Sequence, residues 1–471
     1  MEKLSATDAS FLYAETARMP MHVGALQIYD PATAPDGRVD VADIVENVRC
    51  RARRVHCFHS KLLETPWLLD HPCWIDDPQF DPSRHVFSVS LPKGGGWRAL
   101  CETVNQLAAE PLPRDRPLWE MHVITGLDDI AALPRNAYAV FTKIHHAAVD
   151  GVAGIGVTIA LHDLQPAGIE QRIPDKVVEP APTPMDLIAS AVLEESFRPM
   201  RFYQAWPAIA RMASDVLSSP PIPVPPRTRF NQRISGERTF DAVGMSLKGL
   251  KSCSALVDGA TVNDVVLTIV GGAMRRYLEY HGELPDRSMT AMVPISTRKE
   301  IFESSEGNQI SQMFVALGTH IDEPVARLRS VYESSVTGKA AAKRIDAESM
   351  AAISALQPAP WLALTARSMS HTPENIFANT VVTNVKGPPM SFYSCGAQLV
   401  KAYGMGPLAD GLGIFHTALS YCGELTLSVF ACADMLPDVE FYVQCLRDEY
   451  EAMRSAAESS KRVVPEDAQQ R

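Results

Sequence analysis

Proline crowds into one stretch of this chain. Twelve of its thirty-five prolines lie between residues 161 and 230. The run Pro220, Pro221, Pro223, Pro225 and Pro226 can neither continue a helix nor occupy a central strand, because each ring removes a backbone donor and locks φ. The chain therefore divides around this run. With 471 residues, and about 150 residues as a usual domain size, each side is long enough to bury its own core. The expected division is a first domain at 1–180, a helical, proline-rich linker at 181–228, a second domain at 229–458 and a flexible polar tail at 459–471. Within the linker, Met185–Phe197 and Met200–Leu217 read as helices, the second kinked at Pro207. Phe202, Trp206, Ile209, Ala213 and Val216 recur on it at helical spacing. Such a face either packs across the two halves or dips into lipid.

Each half mixes strands with helices. Before the linker, His22–Tyr29, Trp119–Thr125 and Ala137–Ile144 read as strands, and Val41–Arg51 and Trp97–Ala109 as helices. After it come a helix at Val262–His281, a strand at Met289–Val293, a helix at Pro324–Thr337, strands at Thr380–Val385 and Thr426–Ala431, and a helix at Pro437–Met453. Neither half alternates strand and helix as a doubly wound parallel sheet requires. The expected fold class is α/β in the layered α+β sense, in two halves.

Charge and cysteine usage narrow the partners. Forty-four Lys plus Arg against fifty-five Asp plus Glu leave a formal charge of -11, which excludes a general role on nucleic acid, where phosphates must be neutralised. The first residues, MEKLSATDASFLYAET, lack the apolar stretch of a secretory signal, and no run approaches the ~18 apolar residues of a membrane-spanning helix. The expectation is a cytoplasmic protein whose membrane contact, if it makes one, is peripheral. Nine cysteines without a CxxC pair fit reduced thiols rather than disulfides or zinc ribbons.

The chemistry concentrates in Ala137–Leu161, AYAVFTKIHHAAVDGVAGIGVTIAL. A strand over residues 137–146 alternates its side chains, so Tyr138, Val140, Thr142, Ile144 and His146 share one face while Lys143 and His145 point the other way. Two adjacent histidines therefore do different work. Asp150 precedes Gly151 and an apolar run, where a helix cap and a helix start are expected. A metal site would need ligands beyond His146 and Asp150, and no HExxH or Cys/His cluster supplies them. Small Ala147 and Ala148 leave access to the ring, and a glycine closes the turn.

His145, His146, Asp150 and Gly151 resemble the HHxxxDG motif of the CoA-dependent acyltransferase superfamily, to which chloramphenicol acetyltransferase and the condensation domains of peptide synthetases belong. Leu4-Ser5, Asp8, Phe11-Leu12 and Pro20-Met21-His22-Val23-Gly24 resemble the opening block of the bacterial wax ester synthase/diacylglycerol acyltransferase family. Pro117-Leu118-Trp119 is similar to its PLW motif and Asn263-Asp264 to its ND motif. Pro294-Ile295-Ser296-Thr297-Arg298 with Gly307-Asn308-Gln309 resembles the next block, and Thr383-Asn384-Val385 with Gly387-Pro388 the NVPGP block. The resemblance runs from about residue 4 to 450 in family order. Lys386 departs from it, standing where that last block usually has proline and adding a positive charge near the acceptor side.

The resemblance implies two chloramphenicol-acetyltransferase-like sandwich domains meeting at a tunnel, with long-chain acyl-CoA entering one mouth and an alcohol the other. It implies His146 as general base, Asp150 as a structural residue paired with an arginine, for which Arg298 is the candidate, and His145 and Gly151 as supports of the loop. A hydroxyl cannot attack a thioester without losing its proton, and neutral imidazole is well matched to taking it. Asn263, Asp264 and Asn384 stand in matching blocks as supporting residues, the two amides as donors to an oxyanion or to the alcohol. No cofactor or metal is implied; acyl-CoA is a co-substrate, and the acceptor is diacylglycerol or a long-chain alcohol. Two other readings stay open: an acyl donor bound to a carrier protein, and a non-catalytic lipid-binding or droplet-coating protein on the same fold. Gly94-Gly95-Gly96 lacks the context of a phosphate loop. Gly271-Gly272 lies within a helix, where it permits close packing, and Arg275-Arg276 reads either as solvated helix charge or as a contact for CoA phosphates.

Overall fold

The computed structural model describes residues 1–149, 151–167, 180–218, 224–296, 310–344, 353, 356–370 and 376–463. Among the described residues, two six-stranded sheets and a three-stranded one carry the fold. The first large sheet runs, edge to edge, Tyr393–Ser394, Ala397–Met405, His22–Asp30, Tyr138–His145, Trp119–Thr125 and Val86–Ser90. The second runs Ile310–Ala316, Thr290–Ser296, Thr380–Lys386, Ile414–Tyr421, Glu424–Cys432 and Arg238–Ser246. Both mix parallel and antiparallel pairs, in keeping with the layered reading and not with a doubly wound sheet.

The two halves interlock. Strand Ala397–Met405 comes from beyond the proline linker, yet it pairs antiparallel with His22–Asp30, from Met405 opposite Gly24 to Gln398 opposite Asp30. Sheet membership therefore crosses the division that the prolines suggest. Arg18 reaches Asp410 with a two-pronged contact at 2.6–2.7 Å, and Trp97 Nε1–H donates to Asp241 Oδ1 at 2.8 Å. One continuous apolar core holds Leu26, Leu100 and Phe141 of the first half together with Phe240, Val265 and Leu427 of the second.

Helix Val262–Tyr280 runs through the core of the second half, and its two glycines have a packing reason. A Cβ on Gly271 would lie 2.2 Å from the Leu317 carbonyl oxygen, and one on Gly272 would lie 2.1 Å from Arg327 Nη1. Arg276, in the same helix, pairs with the buried Glu449, while Arg275 donates to the Thr319 carbonyl. Both arginines thus have partners within the fold, Arg275 with its side chain largely covered and Arg276 with its side chain 45% exposed to solvent.

The linker helices form at Pro184–Ser196 and Arg198–Ser218. The second does not pack across the halves through its aromatics: Phe202 is 49% exposed, Tyr203 78% and Trp206 56%. The C-terminal helix, Val439–Val463, extends past Ser459, so residues 459–463 are helical where a flexible tail is expected; residues 464–471 lie outside the described residues. Pro220, Pro221 and Pro223 lie outside the described residues.

Candidate active site

Strand Tyr138–His145 is buried at every position, because it is paired on both sides, with His22–Asp30 and with Trp119–Thr125. A strand in this position reads as a near-continuous apolar run with few polar residues, and the polar ones it has must find partners. It ends one residue earlier than the alternation suggests. The His146 N–H donates to the Met21 carbonyl at 2.8 Å, and a turn follows in which the Ala148 N–H donates to the His145 carbonyl at 2.9 Å. His146 thus leaves the pleat instead of continuing the face of Ile144.

That one-residue difference separates the two histidines. His145 is 1% exposed. Its Nδ1 accepts the Ala147 N–H at 3.0 Å, which puts the proton of a neutral ring on Nε2, and Nε2 lies 3.4 Å from Glu15 Oε1. His146 is half-buried, and its ring stacks on Phe11 with centroids 4.0 Å apart and planes 15° from parallel.

Glu15 is the member of this site that the sequence reading missed. Its Oε1 accepts the Met21 N–H at 3.1 Å, and its Oε2 accepts Arg114 Nη2–H at 2.8 Å. Burial alone would push this carboxyl up, but contacts from His145, Arg114 and the Met21 N–H outweigh it and hold the group at about 2. A polar row continues beneath it. The wholly buried Lys143 places Nζ 3.1 Å from Glu120 Oε2 and donates to the Glu110 carbonyl at 3.1 Å. Glu120, which burial would raise, is brought to about 2 by His122 and Lys143. His22 is driven down to about 3, first by burial and then by the nearby Lys143 and His145. Alternation along the strand does place Lys143 and His145 on one face, and a buried lysine demands an acid. No short-range signal names Glu15, more than a hundred residues away.

Ala147 is buried in an apolar cluster with Leu4, Leu12 and Ala363. Its small side chain packs where helices Ala6–Ala14 and Ala359–Ser370 meet the turn. Gly151 opens helix Gly151–Leu161; Asp150 and Arg298 lie outside the described residues. Asn263 and Asn384 do come together, Asn384 Nδ2–H donating to Asn263 Oδ1 at 3.2 Å, at the end of strand Thr380–Lys386 and the start of helix Val262–Tyr280. Asp264 works differently from its neighbour. It is fully buried, and its Oδ2 accepts the Thr261 N–H at 2.8 Å and Thr261 Oγ1–H at 2.7 Å, a capping box that starts the helix. Lys386 is exposed at the strand end.

Several of the cysteines are poorly placed to act as nucleophiles. Burial pushes Cys57 up to about 12 and Cys395 and Cys445 up to about 11, the reverse of what thiolate catalysis needs. Gly94 donates its N–H to Asp129 Oδ2 at 2.6 Å, so a carboxylate already meets the glycine loop.

Two interlocked mixed sheets, with His145 and His146 at the end of a central strand, define the two-domain, chloramphenicol-acetyltransferase-like class of condensation and acyltransferase folds. The solved structure of the wax ester synthase/diacylglycerol acyltransferase from Marinobacter aquaeolei matches 97% of this chain and 100% of its own, at 25% identity and a TM-score of 0.70. O-acyltransferase WSD of Acinetobacter baylyi is 30% identical over 471 residues, 95% of this chain and 96% of that one. A Mycobacterium tuberculosis protein with a provisional diacylglycerol O-acyltransferase name is 32% identical over 465 residues, 93% of this chain and 87% of its own. Residues 4–266 match the wax ester synthase/diacylglycerol acyltransferase catalytic domain, and residues 306–454 the C-terminal domain of the same proteins. The chain belongs to the wax ester synthase/diacylglycerol acyltransferase family, and it is an O-acyltransferase.

Proposed function

We propose that the enzyme transfers a long-chain acyl group from CoA to the hydroxyl of diacylglycerol, giving triacylglycerol, and accepts long-chain alcohols to give wax esters. The observation that carries this reading is the division of labour at the strand end. His146 presents a half-buried ring stacked on Phe11, while His145 is sealed in and engaged by the Ala147 N–H. In the proposed step the His146 imidazole takes the hydroxyl proton as the oxygen attacks the thioester carbon. The C–S bond then breaks, and the departing sulfur recovers the proton. The thioester is already activated, so direct transfer suffices without an acyl-enzyme, in keeping with the raised thiols. The amides of Asn263 and Asn384, 3.2 Å apart, are suited to donate to the developing oxyanion or to orient the alcohol. The resemblance assigns Asp150 and Arg298 a structural pairing behind the loop. The diacylglycerol and wax ester names of the Mycobacterium and Marinobacter relatives support the choice of acceptors.

Peripheral contact with a membrane or lipid-droplet surface belongs to the same reading. Among the described residues no helix is long and apolar enough to cross a membrane, yet Met185, Tyr203 and Trp206 are 71%, 78% and 56% exposed on the linker helices. Amphipathic helices of this kind lie in the interface plane.

The test separates products by thin-layer chromatography after incubation with labelled palmitoyl-CoA and, in parallel, diacylglycerol and hexadecanol. Labelled triacylglycerol with diacylglycerol, lost in His146→Ala at unchanged folding, is the expected outcome. Turnover of the His146→Ala variant, read as released thiol, would refute the base, and labelling only from a carrier-bound acyl donor would refute CoA as its source.

A further inference from the structure

We propose that Glu15 and Phe11, at the C-terminal end of the first helix, are positioning residues that set the His146 ring for its proton transfer; this rests on His146 being the general base. Helix Ala6–Ala14 ends with the Glu15 N–H donating to the Phe11 carbonyl at 3.2 Å, so the two side chains leave one helix end together. Arg114 Nη2–H fastens that end, donating both to the Leu12 carbonyl at 2.9 Å and to Glu15 Oε2 at 2.8 Å.

From there two contacts reach the histidine turn. The Phe11 ring covers the face of the His146 imidazole. A face contact restrains rotation of the ring but does not occupy its edge, where the nitrogens that exchange protons lie. The Glu15 carboxylate acts through the backbone. Its Oε1 holds the Met21 N–H at 3.1 Å, and the carbonyl of the same Met21 holds the His146 N–H at 2.8 Å. The same oxygen stands 3.4 Å from His145 Nε2. One buried anion thus orders the residue before the base, the strand beside it and the helix that stacks on it. Misplacement of a base by about 1 Å can cost about a hundredfold in rate while leaving substrate binding intact, so such a clamp acts on turnover.

The full-length enzyme with Glu15→Gln and, separately, Phe11→Leu tests this. Glutamine keeps an oxygen acceptor for the Met21 N–H but loses the charge that faces Arg114 and His145. Leucine keeps apolar bulk but loses the flat ring. Both are compared with His146→Ala by thiol release across acyl-CoA concentrations, with activity expressed per folded molecule from thermal melts. The expected result for each is a KM for acyl-CoA within about twofold of wild type and a kcat at least about tenfold lower. A kcat near wild type in both variants, a raised KM with kcat retained, or a loss that vanishes once folded protein is counted overturns the proposal. An inert His146→Ala beside fully active Glu15→Gln and Phe11→Leu sinks this inference alone, whereas an active His146→Ala sinks the general-base reading with it.

Discussion

A methyl group on Gly272 would sit 2.1 Å from Arg327 Nη1 and 2.2 Å from Glu449 Oε2, between two side chains that meet at 2.5 Å and are each about 1% exposed. Alanine favours a helix over glycine by about 1 kcal/mol, but parting a buried ion pair costs about 3–5 kcal/mol, so the steric effect wins. Gly272→Ala is expected to lower the urea midpoint strongly; a midpoint at or above wild type would contradict this packing. At the same scale, the chemistry of the two histidines was legible as a pair with unlike tasks. Which surroundings each would meet was not. Alternation placed His146 on the pleat, whereas its N–H turns to Met21 and the ring meets Phe11. Residue types announce which groups can move protons, but not which buried anion stands behind them.

Helix Val262–Tyr280 begins on a Thr261–Asp264 capping box, and the first turn carries Asn263 toward Asn384. Thr261→Ala removes the hydroxyl that donates to Asp264 and accepts its N–H. The expected loss is about 1–2 kcal/mol of stability, measured by chemical denaturation, with lowered turnover because Asn263 lies in the first turn after the cap. The helix at 198–218 poses the opposite case. Phe202, Tyr203 and Trp206 share an apolar stripe, with Arg201 and Gln204 on other faces, and the stripe is in solvent instead of in the core. The double substitution Phe202→Glu/Trp206→Glu is therefore expected to change stability by less than about 1 kcal/mol while abolishing co-sedimentation with phospholipid vesicles. A large loss of stability would mean that these rings are packed in the folded protein, and retained vesicle binding would place the lipid contact elsewhere. The helices themselves were readable from periodicity, with Val41–Arg51 matching to the residue. The destination of their apolar faces was not, because a 3.6-residue period is the same whether the stripe meets a core or a lipid surface.

Acid sensitivity belongs to the whole molecule. His22, His162 and His416 are all enclosed, and burial is the first cause that brings them down to about 3, 4 and 3. The unfolded chain takes up protons at these sites below about pH 6.5, whereas the folded one resists until pH 4 or lower. Their neutral burial therefore costs nothing above that pH, and stability falls as pH drops from 6.5 toward 4. The slope approaches about 1.4 kcal/mol per pH unit for each ring. Glu15 and Glu120, both held at about 2, add a second loss as pH falls from about 4.5 toward 2. Thermal melts should show Tm dropping well before carboxylates titrate; a Tm unchanged between pH 7 and 5 would contradict the buried rings. The joint between halves is a second global feature. Asp410, with a fully buried side chain, takes both Arg18 prongs and the Ile234 N–H, so Asp410→Ala is expected to cost about 3 kcal/mol, seen as a lower denaturation midpoint.

Local order was available from the amino acids alone for part of the chain: helices such as Val41–Arg51, strands such as Trp119–Thr125, and the family that the motifs resemble. These depend on neighbours within a few positions, through backbone propensity, periodicity and capping. Partnership across the chain was settled only by the folded molecule. That strand Ala397–Met405 leaves its own half to pair with His22–Asp30, and that a glutamate at position 15 stands behind the residues at 145 and 146, follow from burial and hydrogen-bond satisfaction summed over distant segments. Such sums have no period or motif by which a linear text could display them.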